Sequence, residues 1–411
     1  MTSQNKLSLE PYKGTRDFYP KDQFIQNYIF SVWKKVCESY GYLEYNASIL
    51  EETELYKSKS GEEIVNEQTY SFIDRGGRNV TIRPEMTPTV ARMVAQKRKE
   101  LSFPLRWFSI PNLFRYERPQ RGRLREHWQL NADMFGVDGI EADVEVISLA
   151  YSIMKGFGAK DEDFEIRIND RKAKLTGIEE NSLTEEQKHK VVKLIDKKLK
   201  MSPEAFKEAA KEILGKVIDL SYQETDYTKQ IIKLLNDRGI LNAKFNPSLV
   251  RGFDYYTGMV FEVFDTNPEN SRSIFGGGRY DDLVSIFGVE KVTGLGFGLG
   301  DVTTRDFLET HNLLPEYVSP VKLYICHLEG YLDAASQLAA ELRSQGLNVA
   351  VDLSDRKVSQ QVKTADKELI PYIIVVGEEE VKSRKFKVKN LRGSNETEVL
   401  KENLKSFLLN E

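Results

Sequence analysis

Apolar residues recur at a helical interval at Phe24, Tyr28, Ile29, Val32, Trp33 and Val36, and the run ends before Gly41. That period predicts one amphipathic helix. The pattern then shortens. Residues 68–84, "QTYSFIDRGGRNVTIRP", alternate on either side of a Gly-Gly pair, which predicts a hairpin. "LRWFSIPNLFRYE" and "HWQLNADMFGV" predict two more strands around a charged loop. "DVEVISLAYSIMKGFG" predicts a helix, and Phe164, Ile166 and Ile168 alternate as a strand. Strands and helices mix without regular βαβ spacing, so residues 1–170 read as an α+β domain with a largely antiparallel sheet.

The texture changes over 171–240, which is Lys/Glu-rich and helical, with Ser182 and Glu185 spaced as a capping box. This reads as a helical insertion, after which the α+β pattern resumes over 241–312. "LLPEYVSP" (313–320) reads as a linker. Beyond it, over 320–411, strands and helices alternate, ending in a helix over "VLKENLKSFLLN". That predicts a small α/β domain.

Composition narrows the classes. The 411 residues carry a net charge of −4, so any polyanion site must be a local patch. The two cysteines, Cys37 and Cys326, have neither metal-ligand nor disulfide spacing, as expected of a reducing compartment. The first residues lack the apolar core of a signal peptide, and no apolar run is long enough for a membrane span. A cytoplasmic protein is expected.

Five stretches carry candidate chemistry. In "FRYERPQRGRLREHWQLNADMFG", five arginines and two acids lie from Arg115 to His127, a local excess of +3. Arginine forks suit phosphate, and the alternative is a solvated hairpin tip turning at Gly122. "TIRPEMTPTVARM" sets Glu85 and Thr87 after a strand, where they suit either an ammonium group or a helix start. "LVRGFDYYTG" combines Arg251, Asp254, Tyr255 and Tyr256 without a nucleophile. "FGGGRYDDL" permits a close backbone approach or a tight turn before Arg279, Tyr280 and Asp281. "GLGFGLGD" alternates glycine with Leu and Phe, the mark of a strand against which a backbone or flat ligand packs. It is not a P-loop, and none of the four histidines has metal-ligand spacing.

Together with "YKGTRDFYP", these stretches resemble the class II aminoacyl-tRNA synthetases, specifically the histidyl-tRNA synthetase family, over nearly the whole chain. "FRYERPQRGR" resembles motif 2, and "LVRGFDYYTG" and "GGGRYDDL" resemble the histidine-specific motifs. "DLSDRKVSQQVKTADKELIPYIIVVGEEE" resembles the anticodon-binding domain. The resemblance implies a homodimer that activates L-histidine with ATP and Mg²⁺, then charges tRNA(His). It implies that Arg115 holds the α-phosphate and the histidine carboxylate, with Arg251 approaching the phosphate from the other side. Glu85, Thr87 and Gln129 would take the ammonium group, and Asp133, Tyr255, Tyr256 and Tyr280 the imidazole. Glu117, Arg123 and His127 would meet ATP, and Gln120, Arg121 and Arg125 the tRNA acceptor stem. The missing protein nucleophile then has a reason, because the substrate carboxylate attacks the α-phosphorus and the protein supplies positioning and charge.

The sequence departs from the family pattern at four positions. Asp133 stands for Glu, His127 for an aromatic such as Phe, and Ser48 for a motif 1 proline. In "GLGDVTTRDF" Thr303 stands where motif 3 has its arginine. Arg305 comes two residues later, roughly 200° round a helix. Either a local shift brings Arg305 to the γ-phosphate or another cation replaces it. The competing expectations are a catalytically altered regulatory paralogue and another class IIa synthetase.

Overall fold

The structure is a computed structural model. It describes residues 7–57, 68–176, 178, 183–184, 186–187, 190–191, 194–195, 198, 201–216, 220–249, 255–270, 272–393 and 395–410. Arg251, Gly252, Asp254, Ser182, Glu185 and His189 lie outside the described residues. The chain divides into two compact units, one ending at Pro315 and the other starting at Glu316.

In the first unit, helix α1 (Pro20–Ser39) opens with a proline in its first turn, where the missing N–H costs nothing, and with Asp22 against the positive end of the dipole. It buries Ile29, Trp33 and Cys37 at four-residue intervals, as the period predicts. The strands β1 (Leu43–Glu44) and β2 (Leu50–Glu52) follow, then α2 (Thr53–Lys57). The predicted hairpin is β3 (Tyr70–Ile73) and β4 (Asn79–Ile82), which with β2 form a small sheet in the order β2-β4-β3. Helix α3 (Thr87–Lys97) precedes β5 (Leu105–Ser109), β6 (Asn112–Phe114) and the long β7 (Glu126–Phe135). After α4 (Ile140–Gly156) and β8 (Phe164–Asp170) come two helices, α5 (Pro203–Leu214) and α6 (Asp226–Asp237). The unit ends with β9 (Ala243–Phe245), β10 (Met259–Asp265), β11 (Ser273–Arg279), β12 (Gly294–Gly300) and α7 (Asp301–Thr310).

The large sheet runs β1-β5-β7-β12-β11-β10-β8-β9, with β6 added on β7. Its pairings are antiparallel except β1 with β5 and β8 with β9, in keeping with an α+β fold. One face packs on α1, α4, α6 and α7 through a core including Trp33, Phe108, Leu130, Ala132, Met134, Leu295, Phe297 and Leu299. A second cluster on the other face joins Val90, Phe135, Tyr255, Tyr256 and Tyr280.

Helix α6, which charge texture groups with the insertion, contributes Ile231 and Leu235 to the main core. Leu175, Val191, Phe206, Ala210 and Leu220 form a separate cluster instead. The texture is Lys/Glu-rich throughout because it reports exposed faces, and only the buried face tells the two apart.

The second unit orders its strands β14-β13-β15-β16-β17. These are β13 (Leu323–His327), β14 (Val349–Val351), β15 (Tyr372–Val376), β16 (Lys385–Asn390) and β17 (Glu396–Leu400). The first three are parallel, crossed by α8 (Leu332–Ser344) and α9 (Val358–Lys367), and a short α10 (Glu378–Ser383) leads into the antiparallel pair β16–β17. The predicted last helix is corrected here. Residues 396–400 are a strand paired with β16, and α11 runs only over Leu404–Asn410. Val399 has an apolar neighbour at Leu400, but the charged residues before it alternate, and a neighbouring strand decides between the two periods.

Candidate functional site

Strand β7 carries the site because its alternation is inverted. Leu130, Ala132 and Met134 face the helices, while Gln129, Asn131 and Asp133 face the other way. A polar face that is nevertheless buried needs partners. Asp133 and Asn131 are each about 2% exposed. Beside them, β12 presents Gly294, Gly296 and Gly298, and across β11 the register sets Gly276 against Gly298 and Gly278 against Gly296.

These glycines are here for the absent Cβ. A Cβ on Gly296 would lie 2.4 Å from the Ala132 carbonyl and 2.6 Å from Asp133 Oδ1, and one on Gly298 would lie 2.3 Å from Gln129 Nε2. The result is a flat floor beside a polar strand, in a cleft of about 280 Å³. The triple glycine is therefore strand rather than turn, one of the two alternatives for "FGGGRYDDL". Gly122, at φ +74°, does make the predicted turn, with Gln120 bridged to Arg123 around it.

The walls bring together most of the predicted residues: Glu85, Thr87, Arg115, Glu117, Arg123, His127, Gln129, Tyr255, Tyr256 and Tyr280. Glu85 sits just before α3, buried, and accepts a hydrogen bond from the Tyr255 hydroxyl at 3.2 Å. The Tyr255 ring lies 5.0 Å from Tyr256 and edge-on to Tyr280 at 5.9 Å. Tyr280 donates to Asp133 Oδ1. Arg115 Nε donates to the Pro84 carbonyl at 2.8 Å, which fixes the guanidinium in the cleft wall. Arg123 Nη1 lies 3.7 Å from Glu117.

Burial pushes the Asp133 carboxyl up to about 7, and the Tyr280 hydroxyl opposes this only in part. Burial also pushes the His127 imidazole down to about 3, reinforced by the Arg115 and Arg16 guanidiniums. His127 is therefore a neutral ring at physiological pH. Burial holds the Tyr255 and Tyr280 phenols well above their ordinary value, so both stay protonated donors.

The sequence-family model described as histidyl-tRNA synthetase matches residues 14–198 and 167–301, and an anticodon binding domain model matches 319–411. A histidine–tRNA ligase of Leptospira biflexa is 44% identical, over 96% of this chain and 95% of that protein. One from Thermoplasma volcanium is 35% identical, over 94% of this chain and 95% of its own. The chain belongs to the histidyl-tRNA synthetase family. In structure it is similar to the apo histidyl-tRNA synthetase of S. aureus, with TM-score 0.74, 25% identity, and coverage of 98% of this chain and 100% of that one.

Against the histidyl-tRNA synthetase pattern, two expected site residues are corrected. Arg305 does not line the cleft. Its guanidinium bonds Glu309 at 2.8 Å and Asp22 of α1 at 3.2 Å, while Thr303 takes the cleft-facing position on α7. Two residues along a helix is slightly more than half a turn, and α1 supplies the carboxylate that holds Arg305 on the far side.

Arg125 is buried rather than presented to a tRNA. It donates to the Tyr12 hydroxyl at 2.9 Å and the Glu117 carbonyl at 3.2 Å, and its guanidinium stacks 4.0 Å from the Tyr116 ring. Gln120 and Arg121 remain exposed at the loop tip.

The sequence reading missed Asn131 and Asp301. Asn131 was detectable as the middle of the polar triplet Gln129-Asn131-Asp133. Asp301, fully buried, ties three segments together: it accepts from Trp128 N at 2.9 Å, Arg16 Nη2 at 2.7 Å and Gln26 Nε2 at 2.9 Å. Its partners are distant in sequence and gave no local signal.

Proposed function

We propose that this cleft activates L-histidine with ATP, forming histidyl-adenylate and releasing pyrophosphate, and then passes histidine to the 3′ end of tRNA(His). The observation that carries it is a cleft lined by an ammonium-type acceptor (Glu85), a phosphate-type fork (Arg115) and a phenol (Tyr280) whose hydroxyl is bonded to the buried Asp133 carboxyl behind it. Neutral imidazole has one donor and one acceptor nitrogen. Asp133 accepts from one, a tyrosine hydroxyl donates to the other, and Tyr255 and Tyr256 close the pocket. Glu85, Thr87 and Gln129 hold the ammonium group.

Arg115 neutralises the substrate carboxylate and the α-phosphate together, so that attack occurs between oriented groups. The neutral His127 ring faces the adenine, with Glu117 and Arg123 at the phosphates. Arg251 is proposed as the second phosphate cation on sequence grounds alone. Mg²⁺ would be carried in by ATP, and of the two cleft carboxylates among the described residues Glu117 would hold it, since Glu85 is engaged by the Tyr255 hydroxyl. When bound, the ion would neutralise phosphate charge.

Gln120 and Arg121 meet the acceptor stem, chiefly through phosphate. The chain works as a homodimer in the cytoplasm; no helix among the described residues is long and apolar enough to cross a membrane. Exposed Leu50, Phe72 and Ile73 on the small sheet, with Leu43 on the edge strand β1 of the large one, supply apolar surface for a second copy.

The test is ATP–pyrophosphate exchange with each of the twenty amino acids. Histidine alone should support it, and Arg115→Ala should reduce it by about 10²-fold or more. Exchange with another amino acid, or none with histidine, overturns the assignment. Nothing in the comparisons favours a purely regulatory paralogue.

A further inference from the structure

On the β5 side of β7, away from the glycine floor, the buried hydroxyls of Ser109 and Tyr45 join Asp133 Oδ2 as polar groups without a partner among the described residues. The register of β5 on β7 sets Trp107 opposite Asp133 and Ser109 opposite Asn131, so Ser109 shares the polar face of β7. Tyr45 lies over the same strand, its backbone N–H bonded to the Phe108 carbonyl at 2.8 Å and its ring 5.6 Å from Trp107. Burial raises the Tyr45 phenol, the Asp133 charge raises it further, and the Ser109 hydroxyl opposes the rise, so both groups act on it. Asp133 Oδ1 is taken by Tyr280 and borders Gly296. Asp133 Oδ2, Ser109 Oγ and Tyr45 Oη are buried and have no well-formed hydrogen bond among the described residues, Ser109 and Tyr45 lying close without completing one. Ser109 is 1% exposed and Asp133 2%. Three native buried oxygens left unpaired on one face call for a shared partner, since each costs about 1–3 kcal/mol if left bare. A single water with three polar neighbours meets that need.

We propose that Tyr45 and Ser109 are positioning residues for histidine recognition, sharing one buried water with Asp133 Oδ2 and through it holding the carboxyl ionised with Oδ1 turned to the imidazole. This rests on Asp133 reading the imidazole. Both hydroxyls carry a hydrogen to give, and the carboxylate can only accept, so the network is satisfied when Asp133 is charged.

The other groups around Asp133 do not serve this end. Tyr280 is already engaged with Oδ1, and Tyr42, whose buried hydroxyl likewise has no partner among the described residues, packs in the main core on the helix face of the sheet. Arg83, the cation that reaches Tyr45, is spent on the carbonyls of Asn112 and Ala47. The Arg106–Glu145 pair reaches Tyr42 and is already closed at 2.6 Å.

The experiment is the pH profile, from about 5.5 to 9, of histidine KM and of kcat in pyrophosphate exchange, a window that brackets the ordinary histidine titration. The parent is compared with Tyr45→Phe, Ser109→Ala, Ser109→Thr and Asp133→Asn. The titration of free histidine is common to all, so differences belong to the protein. Tyr45→Phe and Ser109→Ala should each move the acid limb of the histidine KM profile up by about half a pH unit or more, with plateau kcat and ATP KM unchanged. Ser109→Thr, which keeps the hydroxyl, should restore the parent profile. If Tyr45→Phe and Ser109→Ala superimpose on the parent while Asp133→Asn raises histidine KM, this proposal fails and the imidazole assignment stands. If Asp133→Asn also leaves histidine KM and its profile unchanged, the imidazole assignment itself fails.

Discussion

Replacing Asp133 by asparagine should make the protein more stable at alkaline pH, and the amount follows from burial. The carboxyl's displacement from its ordinary 3.8 to about 7 corresponds to about 4 kcal/mol, at about 1.4 kcal/mol per tenfold change in proton affinity. The sign follows from proton linkage. The folded state holds the proton to higher pH than the unfolded chain, so this group's contribution to stability is greatest below about pH 4, falls as pH rises towards 7, and is flat beyond. The asparagine of the variant cannot ionise and loses that slope. Its carbonyl still accepts from Tyr280, but its amide occupies the position of Oδ2, at a cost of about 1–3 kcal/mol if it finds no acceptor. At about pH 8 the variant should therefore exceed the parent by about 1–3 kcal/mol, and at about pH 5 it should equal it or fall below. Urea unfolding of both proteins at intervals across that range measures this, with tryptophan fluorescence as the signal because Trp107 pairs directly with Asp133. A stability difference that does not change with pH would refute the burial of a protonatable carboxyl at this position. Above about pH 7 the carboxylate destabilises the fold, which is the expected sign for a group kept for recognition rather than stability.

Gly296→Ala should destabilise by about 1–3 kcal/mol in the same urea assay and abolish histidine-dependent exchange, because the new methyl meets the Ala132 carbonyl at 2.4 Å and nothing there can swing aside. Arg305→Ala should leave ATP KM within about twofold and lower stability by no more than about 1 kcal/mol, since what it loses is a partly exposed ion pair with Asp22 and Glu309; a tenfold rise in ATP KM would mean that α7 shifts on binding. Asp143→Asn should cost about 1.5–3 kcal/mol, read as a lower urea midpoint, because the buried Arg279 guanidinium loses its closer carboxylate and keeps only Asp281, at 3.4 Å, as an anionic partner among the described residues.

The elements whose period is local were legible in the sequence. Helix α1, the β3–β4 hairpin and the existence of strand β7 follow from spacing, because side-chain direction is set by the backbone period whatever lies opposite. The cluster of candidate residues was legible through the family resemblance, which joined motifs that spacing alone could not bring together. Glu85, Arg115, His127, Gln129, Tyr255, Tyr256 and Tyr280 do line one cleft. Spacing could not say what a cation would do once folded. Arg125 and Arg305 look like equals of Arg115 along the chain, yet one is pinned by Tyr12 and the other held outside by Asp22. Strand β17 depended in the same way on β16 beside it, and Asp301 on Arg16 and Gln26, which are 285 and 275 positions away.

The sequence by itself determined the chemical inventory and the faces that carry it. The tertiary structure decided which charges are available and in what state. Asp133 is an ordinary aspartate in the chain and a carboxyl pushed up to about 7 in the fold, and His127 is an ordinary histidine kept neutral at physiological pH. The reason is the same in both cases. Charge depends on the solvent and partners around a group, and those are brought together by residues far apart in sequence.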